Sequence, residues 1–211
     1  MIYKTLLVDK YGNTKSVYDQ ISSKYLAGVS DSFPQELPEF IAKLRQGSKV
    51  LEVGTAGGRD AKVFVDAGMT VVGTDVVDSF LREAEQLVPQ AQFFNKDMRH
   101  LDFPDGEFDA IWANAVLLHA EREDVPSILQ NFWRILKTGG KVHIRVKQGE
   151  GEEYREEKLS DNKKRFFVYY SPIEMEKLLE NAGFQIIRSE VMEDERGRRD
   201  TKWVSTWGEK I

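Results

Sequence analysis

The sequence predicts an α/β fold, a doubly wound and mostly parallel seven-stranded sheet with a C-terminal antiparallel hairpin at its edge. Short apolar runs alternate with amphipathic helical patterns between residues 49 and 147, which is typical of β-α-β units. A glycine-rich turn at residues 54–58 follows the first of these runs. Near the C-terminus, two apolar runs flank a charged turn at residues 193–200, and this arrangement predicts the hairpin.

The first 46 residues are predicted to form a helical cap. Residues 1–13 contain a few apolar side chains that fit either a short strand or a packed arm. Apolar residues at helical spacing predict helices over residues 16–26 and 34–45, and Gly47 ends the second helix.

Residues 47–147 are predicted to form the core of the sheet, with five strands separated by helices. Strands are expected at residues 49–53, 70–74, 92–95, 108–113 and 141–147. Helices are expected at residues 60–67, 79–87 and 125–136, because each amphipathic pattern ends near a glycine or a proline.

Residues 148–165 interrupt this alternation, since charged side chains dominate them and apolar ones are almost absent. They are interpreted as a mobile loop or lid, with a solvated connector as the alternative. In residues 166–211 the segment Ser171-Pro172-Ile173-Glu174 is a capping box, and it predicts a helix that runs to Asn181. Strands at residues 184–192 and 202–208 follow, so residues 1–211 are expected to form a single domain.

Composition excludes several classes of protein. The chain has no cysteine, so disulfides, zinc–thiolate sites and cysteine nucleophiles are excluded. No apolar run approaches the roughly 20 residues of a membrane span, and the N-terminus does not resemble a signal peptide. We therefore expect a cytoplasmic protein, either a monomer or a homodimer. The formal net charge of -5 gives no general attraction to nucleic acid or to anionic membranes.

The segment from Val50 to Asp60 has the order of a strand, a glycine-rich turn and a helix start. Glycines let backbone N–H groups approach a ligand closely, and the helix N-terminus adds partial positive charge, so the segment predicts a nucleotide-type cofactor site. A dinucleotide fingerprint requires glycines where this chain has Ala56 and Arg59, which disfavours NAD.

Residues 16–211 together resemble the class I S-adenosylmethionine-dependent methyltransferases, which have a Rossmann-like fold. Several short segments carry the resemblance, in the family's order and spacing: Val50–Asp60, Val72–Asp75, Asn95–Met98, Phe108–Asn114 with Leu117–His119, Leu136–Val142 and Ala182–Phe184. Two positions depart from the family pattern, because Glu52 replaces the usual Asp and Ala56 replaces the middle glycine.

The resemblance implies S-adenosylmethionine as cofactor and S-adenosylhomocysteine as product, with no metal. The implied cofactor-binding residues are Glu52, Gly54, Thr55, Ala56, Gly58, Asp75, Val76, Asp97, Met98, Asn114, Ala115 and Tyr25. Asp75 is expected to accept hydrogen bonds from the ribose, and Asp97 from the adenine amine, next to the backbone N–H of Met98. A turn-capping role is the alternative for both acids, and core packing is the alternative for Tyr25.

Candidate catalytic and acceptor-binding residues follow strands four and five. His119 is the candidate general base, because an unperturbed histidine has a pKa near neutrality; a capping or exposed histidine is the alternative. Tyr169 is a second catalytic candidate. The candidate acceptor-binding residues are Tyr18, His119, Arg145, Lys147, Tyr169 and Tyr170. Core packing is the alternative for the tyrosines.

The predicted reaction is in-line methyl transfer to a small molecule, in which alignment of donor and acceptor supplies most of the catalysis. A tRNA or other nucleic-acid methyltransferase is a less favoured alternative. It would use a basic rim formed by Lys163, Lys164, Arg165, Arg196, Arg198, Arg199 and Lys202. A non-catalytic S-adenosylmethionine-binding module is the third interpretation.

Overall fold

The computed structural model describes residues 10–29, 33–198 and 200–211. The described helices are α1 (Lys10–Val29), α2 (Leu37–Ala42), α3 (Arg59–Asp66), α4 (Asp78–Leu87), α5 (Val125–Ile135) and α6 (Pro172–Asn181). The described strands are β1 (Lys49–Val53), β2 (Thr70–Asp75), β3 (Gln92–Asn95), β4 (Phe108–Asn114), β5 (Leu136–Lys147), β6 (Glu152–Glu156), β7 (Lys164–Val168), β8 (Phe184–Glu193) and β9 (Lys202–Lys210). Residues 1–9, which hold most of the expected strand or arm, lie outside the described residues, as does Arg199 of the expected basic rim.

Seven strands form one sheet in the order β3-β2-β1-β4-β5-β9-β8. The first five strands of the chain pair in parallel, whereas β9 is antiparallel to both β5 and β8. The predicted fold class is therefore confirmed, including the C-terminal hairpin. Because β9 lies between β5 and β8, the hairpin closes one side of the sheet with β8 at the edge.

Helices cover both faces of this sheet. Leu51 and Val53 point to a core that α5 and α6 complete, whereas Val50 points to a second core beneath α2 and α3. Successive side chains of a strand alternate between faces, so a strand covered on both sides is apolar throughout. This is why the parallel strands could be predicted as short apolar runs. Within the described ranges, no helix has the length and apolar composition needed to cross a membrane.

The prediction of a charged loop over residues 148–165 is wrong in part, because strand β6 and the start of strand β7 lie within this segment. Strands β6 and β7 pair antiparallel in a separate two-stranded sheet, in a register that places Glu152 opposite Val168. This sheet packs on α1, and the backbone N–H of Phe166 donates to Oγ1 of Thr14 at 3.1 Å. Phe166 is 1% exposed, so the aromatic run that follows the charged residues supplies the core of the hairpin.

The two N-terminal helices differ in length from their predicted bounds. Among the described residues helix α1 already includes Lys10, because Tyr11 and Thr14 continue the buried stripe at helical spacing. Helix α2 is shorter than predicted, since residues 34–36 form a turn before it. Helix α1 also covers the glycine-rich turn: a Cβ at Gly57 would come within 2.9 Å of Cδ2 of Leu26.

Candidate active site

The turn between β1 and α3 requires glycine at two positions. Gly54 has a φ of +73°, and a Cβ there would lie 2.6 Å from Cγ2 of Val116. Gly58 has a φ of +78°, and a Cβ there would lie 3.1 Å from Cα of Ala84. L-residues rarely adopt this left-handed conformation. Only glycine therefore permits the close approach of this backbone to β4 and α4.

Two alanines that line both cavities also have a left-handed backbone: Ala56 in this turn has a φ of +46°, and Ala115 after β4 has a φ of +56°. This conformation costs a non-glycine residue roughly 1–2 kcal/mol, and such costs concentrate at functional sites. The Ala56 N–H donates to Oδ2 of Asp75 at 2.9 Å. Ala56 thus retains the backbone conformation of a glycine, and the turn is held to the end of β2.

Asp75 is the acid at the end of β2. Its Oδ1 accepts hydrogen bonds from the N–H groups of Val76 at 2.8 Å and Val77 at 3.0 Å. Burial raises the pKa of Asp75 to about 6, although these backbone donors and that of Ala56 favour its ionised form. The carboxylate is therefore ionised at pH 7 and can accept hydroxyl hydrogen bonds.

Two buried acids, Glu52 and Asp60, lie below the turn. Oδ2 of Asp60 accepts from Nε1 of Trp112 and Nδ2 of Asn114, both at 2.9 Å, and its Oδ1 accepts from Arg59 at 2.7 Å. These donors hold the pKa of Asp60 below its usual range, although burial opposes them. Burial and the charge of Asp60 raise the pKa of Glu52 well above its usual range. Of the two acids, Glu52 therefore holds a proton more readily than Asp60.

Two cavities of about 640 Å³ and about 80 Å³ open beside this turn. The larger is within the ~300–1,000 Å³ typical of small-molecule sites. Eight residues line both cavities and so separate one from the other: Tyr18, Tyr25, Val53, Gly54, Ala56, Asn114, Ala115 and His119. One of these residues has an unsatisfied acceptor: the Oδ1 atom of Asn114 is buried and has no hydrogen-bond partner among the described residues.

Most of the predicted cofactor-binding residues line these cavities. Asp75, Val76 and Met98 border the small cavity, and Glu52 and Thr55 border the large one. A left-handed glycine turn, an ionised acid and an unpartnered amide oxygen fit a ligand with a nucleoside end and a charged polar end. The donors that such a ligand brings would satisfy acceptors that the protein leaves open.

Two predicted cofactor residues do not line either cavity. Gly58 is the N-cap of α3 and packs against Ala84 instead. Asp97 caps the short 3₁₀ turn at residues 98–100 and forms an ion pair with Arg99 at 2.7 Å. Contact of the Gly58 backbone or of the Asp97 side chain with a cofactor therefore stays a prediction.

Tyr169 and Tyr170 also lie away from the cavities, which corrects their prediction as a pocket wall. The Tyr169 hydroxyl donates to Oε1 of Glu153 at 2.6 Å, on the outer side of the hairpin. Tyr170 is 1% exposed and packs in the core beneath β5. Side chains alternate along a strand, so β7 instead presents Arg165 and Phe167 to the large cavity.

Tyr18 and His119 form a hydrogen-bonded pair at the wall that the two cavities share. The Nδ1 of His119 lies 2.7 Å from the carbonyl oxygen of Phe166, and its Nε2 lies 3.1 Å from the Tyr18 hydroxyl. A carbonyl only accepts, so Nδ1 carries the proton and Nε2 accepts from Tyr18. Arg165 donates in turn to the Tyr18 oxygen.

The structure changes the expected basicity of His119. Burial, with the positive charges of Arg165 and Lys147, lowers the pKa of His119 to about 3, well below the near-neutral value of an unperturbed histidine. The side chain is 5% exposed and remains neutral at physiological pH. His119 therefore acts at this wall as a hydrogen-bond acceptor rather than as a freely titrating base.

The far end of the large cavity is rich in cations. Arg145 and Lys147 line it as predicted from their shared parity on β5. Sequence reasoning missed several further lining residues: Arg59, Asp60, Glu157, Arg165, Phe167, Glu195, Arg196, Arg198 and Trp203. Arg165, Arg196 and Arg198 were assigned to an exposed rim, but they line this cavity instead. The available signal was an arginine within the aromatic run of β7.

Known proteins share both this fold and this sequence pattern. Residues 51–144 match the family model described as a methyltransferase domain. An uncharacterized methyltransferase of Synechocystis is 33% identical over 113 residues, which are 54% of this chain and 53% of that protein. Phosphoethanolamine N-methyltransferase 1 of Zea mays is 30% identical over 174 residues, which are 79% of this chain and 34% of that protein. The chain thus spans about half of the first relative and a third of the second.

A solved structure shows the same architecture. The 1,6-didemethyltoxoflavin-N1-methyltransferase of Burkholderia thailandensis, with bound 1,6-didemethyltoxoflavin and S-adenosylhomocysteine, has a TM-score of 0.76 and 18% sequence identity. The superposition covers 100% of this chain and 93% of that one. The fold is that of the Rossmann-like methyltransferases. The matched family model, the named relatives and the solved structure are all methyltransferases, so this chain is similar to the S-adenosylmethionine-dependent methyltransferases in sequence and in fold.

Proposed function

We propose that this protein transfers the methyl group of S-adenosylmethionine to a small molecule bound in the large cavity, by in-line displacement. The shared wall of the two cavities carries the proposal, because it brings the small cavity beside Asp75 and the separate, larger space to the same residues. Tyr18 and His119 lie on that wall, where the two reactants would meet.

The cofactor's nucleoside would lie at the small cavity. There the ionised Asp75 would accept hydrogen bonds from the ribose hydroxyls, and Val76 and Met98, which line this cavity, would lie beside the adenine. Asp97 acts through the turn that it caps, which positions Met98.

The charged end of the cofactor would extend along the glycine-rich turn into the large cavity. The residues available to it are Glu52, Gly54, Thr55, Ala56, Asn114, Ala115 and Tyr25. The unpartnered Oδ1 of Asn114 is a ready acceptor for an ammonium group. Gly58 contributes by starting α3 rather than by contact.

When bound, S-adenosylmethionine supplies an electrophilic methyl group on a sulfur that leaves as a thioether. The protein's part is mainly to align the acceptor, and alignment alone can supply much of the rate increase. The Tyr18 oxygen is held by Arg165 on one side and by His119 on the other, so its position is fixed. It can accept a hydrogen bond from the acceptor and orient the attacking atom.

A small-molecule acceptor is supported by the shape of the site and by the relatives. The large cavity is bounded by α1, the β6–β7 hairpin and the segment at residues 195–198, which leave room for a compact ligand. Two of the similar proteins are named for small acceptors, phosphoethanolamine and 1,6-didemethyltoxoflavin. Three arginines of the expected nucleic-acid rim line this cavity, which removes them from an outer binding surface.

Calorimetric titration with S-adenosylmethionine, and separately with NAD, tests the cofactor. We expect micromolar binding of the first and none of the second. Asp75→Ala should weaken binding by roughly 1–3 kcal/mol, because ribose hydroxyls lose their acceptor. Asp105→Ala is the matched control, since the Asp105 side chain is 80% exposed and pairs with Arg134. An unchanged affinity in a folded Asp75→Ala variant would contradict the assignment.

Transfer of a labelled methyl group to pooled small molecules, and to total tRNA, tests the acceptor. Label in a small molecule supports the proposal. Label in tRNA would instead favour the nucleic-acid alternative. Tight cofactor binding without transfer to any pool would favour a non-catalytic binding module.

A further inference from the structure

Two buried cations in the large cavity share a single carboxylate. Lys147 on β5 and Arg165 on β7 are 4% and 2% exposed, and both form ion pairs with Glu157. The pair therefore holds an excess of one positive charge inside the protein. Burial makes an uncompensated charge costly, so a second anion at this place would be strongly favoured.

The neighbouring cations have carboxylates of their own. Arg198 pairs with Asp194 at 2.5 Å, and Arg145 pairs with Glu195 at 2.5 Å and with the buried Glu36 at 3.3 Å. These acids are engaged with their own cations, whereas the carboxylate that forms ion pairs with Lys147 and Arg165 is that of Glu157.

The arrangement also has hydrogen-bonding capacity that the protein does not use. Nε of Arg165 is buried and has no hydrogen-bond partner among the described residues. Lys147 and Arg165 both face the ring of Phe167, with the Lys147 ammonium 3.9 Å and the Arg165 guanidinium 5.1 Å from its centroid. The aromatic face orients both heads without neutralising them.

We propose that the methyl acceptor carries an oxyanion, a phosphate or a carboxylate, which Lys147 and Arg165 bind at the position where Glu157 now bridges them. This inference rests on the proposed function, because it names the acceptor class of the same site. In this arrangement Glu157 stands in for the ligand's anion. An acceptor that binds displaces the Glu157 carboxylate or shares the two cations with it.

The chemistry of the groups favours an oxyanion over other ligands. A guanidinium fork and an ammonium are the side chains that bind phosphate and carboxylate best. An ammonium group of the acceptor would be repelled, since the carboxylate of Glu157 is already between two cations. Glu157 lies between β6 and the short turn at residues 158–160, so its side chain can move without disturbing a strand of the main sheet.

Binding of inorganic phosphate and of acetate, with chloride as the reference at constant ionic strength, tests the site. Calorimetry is done on the protein alone and with saturating S-adenosylhomocysteine. We expect either oxyanion to bind, and the tighter of the two identifies a phosphate or a carboxylate as the acceptor group. Lys147→Met should weaken that binding by roughly tenfold or more, as close charge pairs do in double-mutant cycles.

Glu157→Gln should change oxyanion affinity in the opposite direction to Lys147→Met. It removes the competing carboxylate but keeps its size, so we expect oxyanion affinity to rise by roughly tenfold. A purely structural role of Glu157 would not increase affinity. Lys164→Met is the matched control, since the Lys164 side chain lies on the same hairpin and is 63% exposed. The oxyanion affinities of this variant should equal those of the wild type. Circular dichroism shows which variants are folded.

The outcomes separate this inference from the proposed function. Binding of S-adenosylhomocysteine with no binding of either oxyanion, in the wild type and in Glu157→Gln, overturns the oxyanion site alone. Oxyanion binding that Lys147→Met weakens, without binding of S-adenosylhomocysteine, supports the site and contradicts the proposed function. If Lys147→Met does not fold, the comparison of wild type with Glu157→Gln still decides the question.

Discussion

The hydroxyl of Tyr18 lies 3.1 Å from Nε2 of His119. This contact joins α1 to the short turn after β4, at the wall between the two cavities. Arg165 of β7 donates to the same hydroxyl, so three segments that are distant in sequence meet at one oxygen. The position of this oxygen is therefore set by tertiary structure rather than by any local motif.

Tyr18→Phe tests that oxygen. The ring keeps its edge contacts with Tyr25 and Phe80, at centroid distances of 5.0 Å and 5.7 Å, so we expect a folded protein with nearly unchanged cofactor affinity. We expect kcat to fall by roughly a hundredfold, because the acceptor loses the oxygen that orients it and a small misplacement of reacting atoms can cost that much. Single-turnover transfer measures this step. Tyr154→Phe is the control, because Tyr154 is 40% exposed and lines neither cavity. Equal kcat in the Tyr18→Phe variant would remove Tyr18 from the mechanism.

Cofactor affinity should depend on pH through Asp75. Its pKa is raised to about 6, so the carboxylate is ionised at pH 7.5 and largely protonated at pH 5. Ribose hydroxyls donate better to the ionised form, so S-adenosylmethionine should bind roughly tenfold more weakly at pH 5 than at pH 7.5. Calorimetry across this range gives the profile. Asp75→Ala should flatten it, and a profile that the substitution leaves intact would assign the titration to another group.

The two buried acids should respond differently to amide substitution. Burial and the charge of Asp60 raise the pKa of Glu52, which favours its neutral form, so Glu52→Gln should change the free energy of unfolding by less than about 1 kcal/mol. Asp60→Asn leaves Arg59 without its buried partner and should cost about 3 kcal/mol. Urea unfolding compares the two. Equal losses would mean that the proton is shared differently between these acids.

Gly54→Ala and Gly47→Ala separate steric overlap from backbone strain. Both glycines have a φ in the left-handed region, +73° and +77°, but a Cβ at Gly54 meets Val116 at 2.6 Å whereas one at Gly47 meets nothing within 4 Å. We expect Gly47→Ala to cost about 1 kcal/mol and Gly54→Ala about 1–3 kcal/mol more, with weaker cofactor binding. Chemical denaturation measures both losses. Similar losses of unfolding free energy in the two variants would show that the Val116 side chain moves aside at no energetic cost.

Much of the main sheet can be predicted from sequence, because strands that are covered on both faces consist of consecutive apolar residues. Strand β1 shows this, because Leu51 and Val53 pack in the core on one face of the sheet and Val50 packs in the core on the other. The acid at Asp75 is predictable for a related reason, since parallel strands end at a common edge where ligands bind.

The β6–β7 hairpin could not be predicted in the same way. Strand β6 is mostly exposed, so nothing in its composition distinguishes it from a solvated loop. Its pairing depends on α1, which is far away in sequence. Tyr169 shares the parity of Arg165 and Phe167, but β7 ends at Val168, so the alternation that turns those two side chains toward the cavity does not extend to it.

The packing of Leu26 of α1 against Gly57 affects how fast ligands can enter and leave the site. Helix α1 covers the turn at that point, and its Tyr18 and Tyr25 line both cavities. A ligand that fills the small cavity therefore lies beneath a helix that is also fastened to β7. We expect cofactor and product to exchange no faster than α1 moves away from the cavity, so that product release limits kcat. Weakening the hydrogen bond between Thr14 and Phe166 should therefore raise kcat.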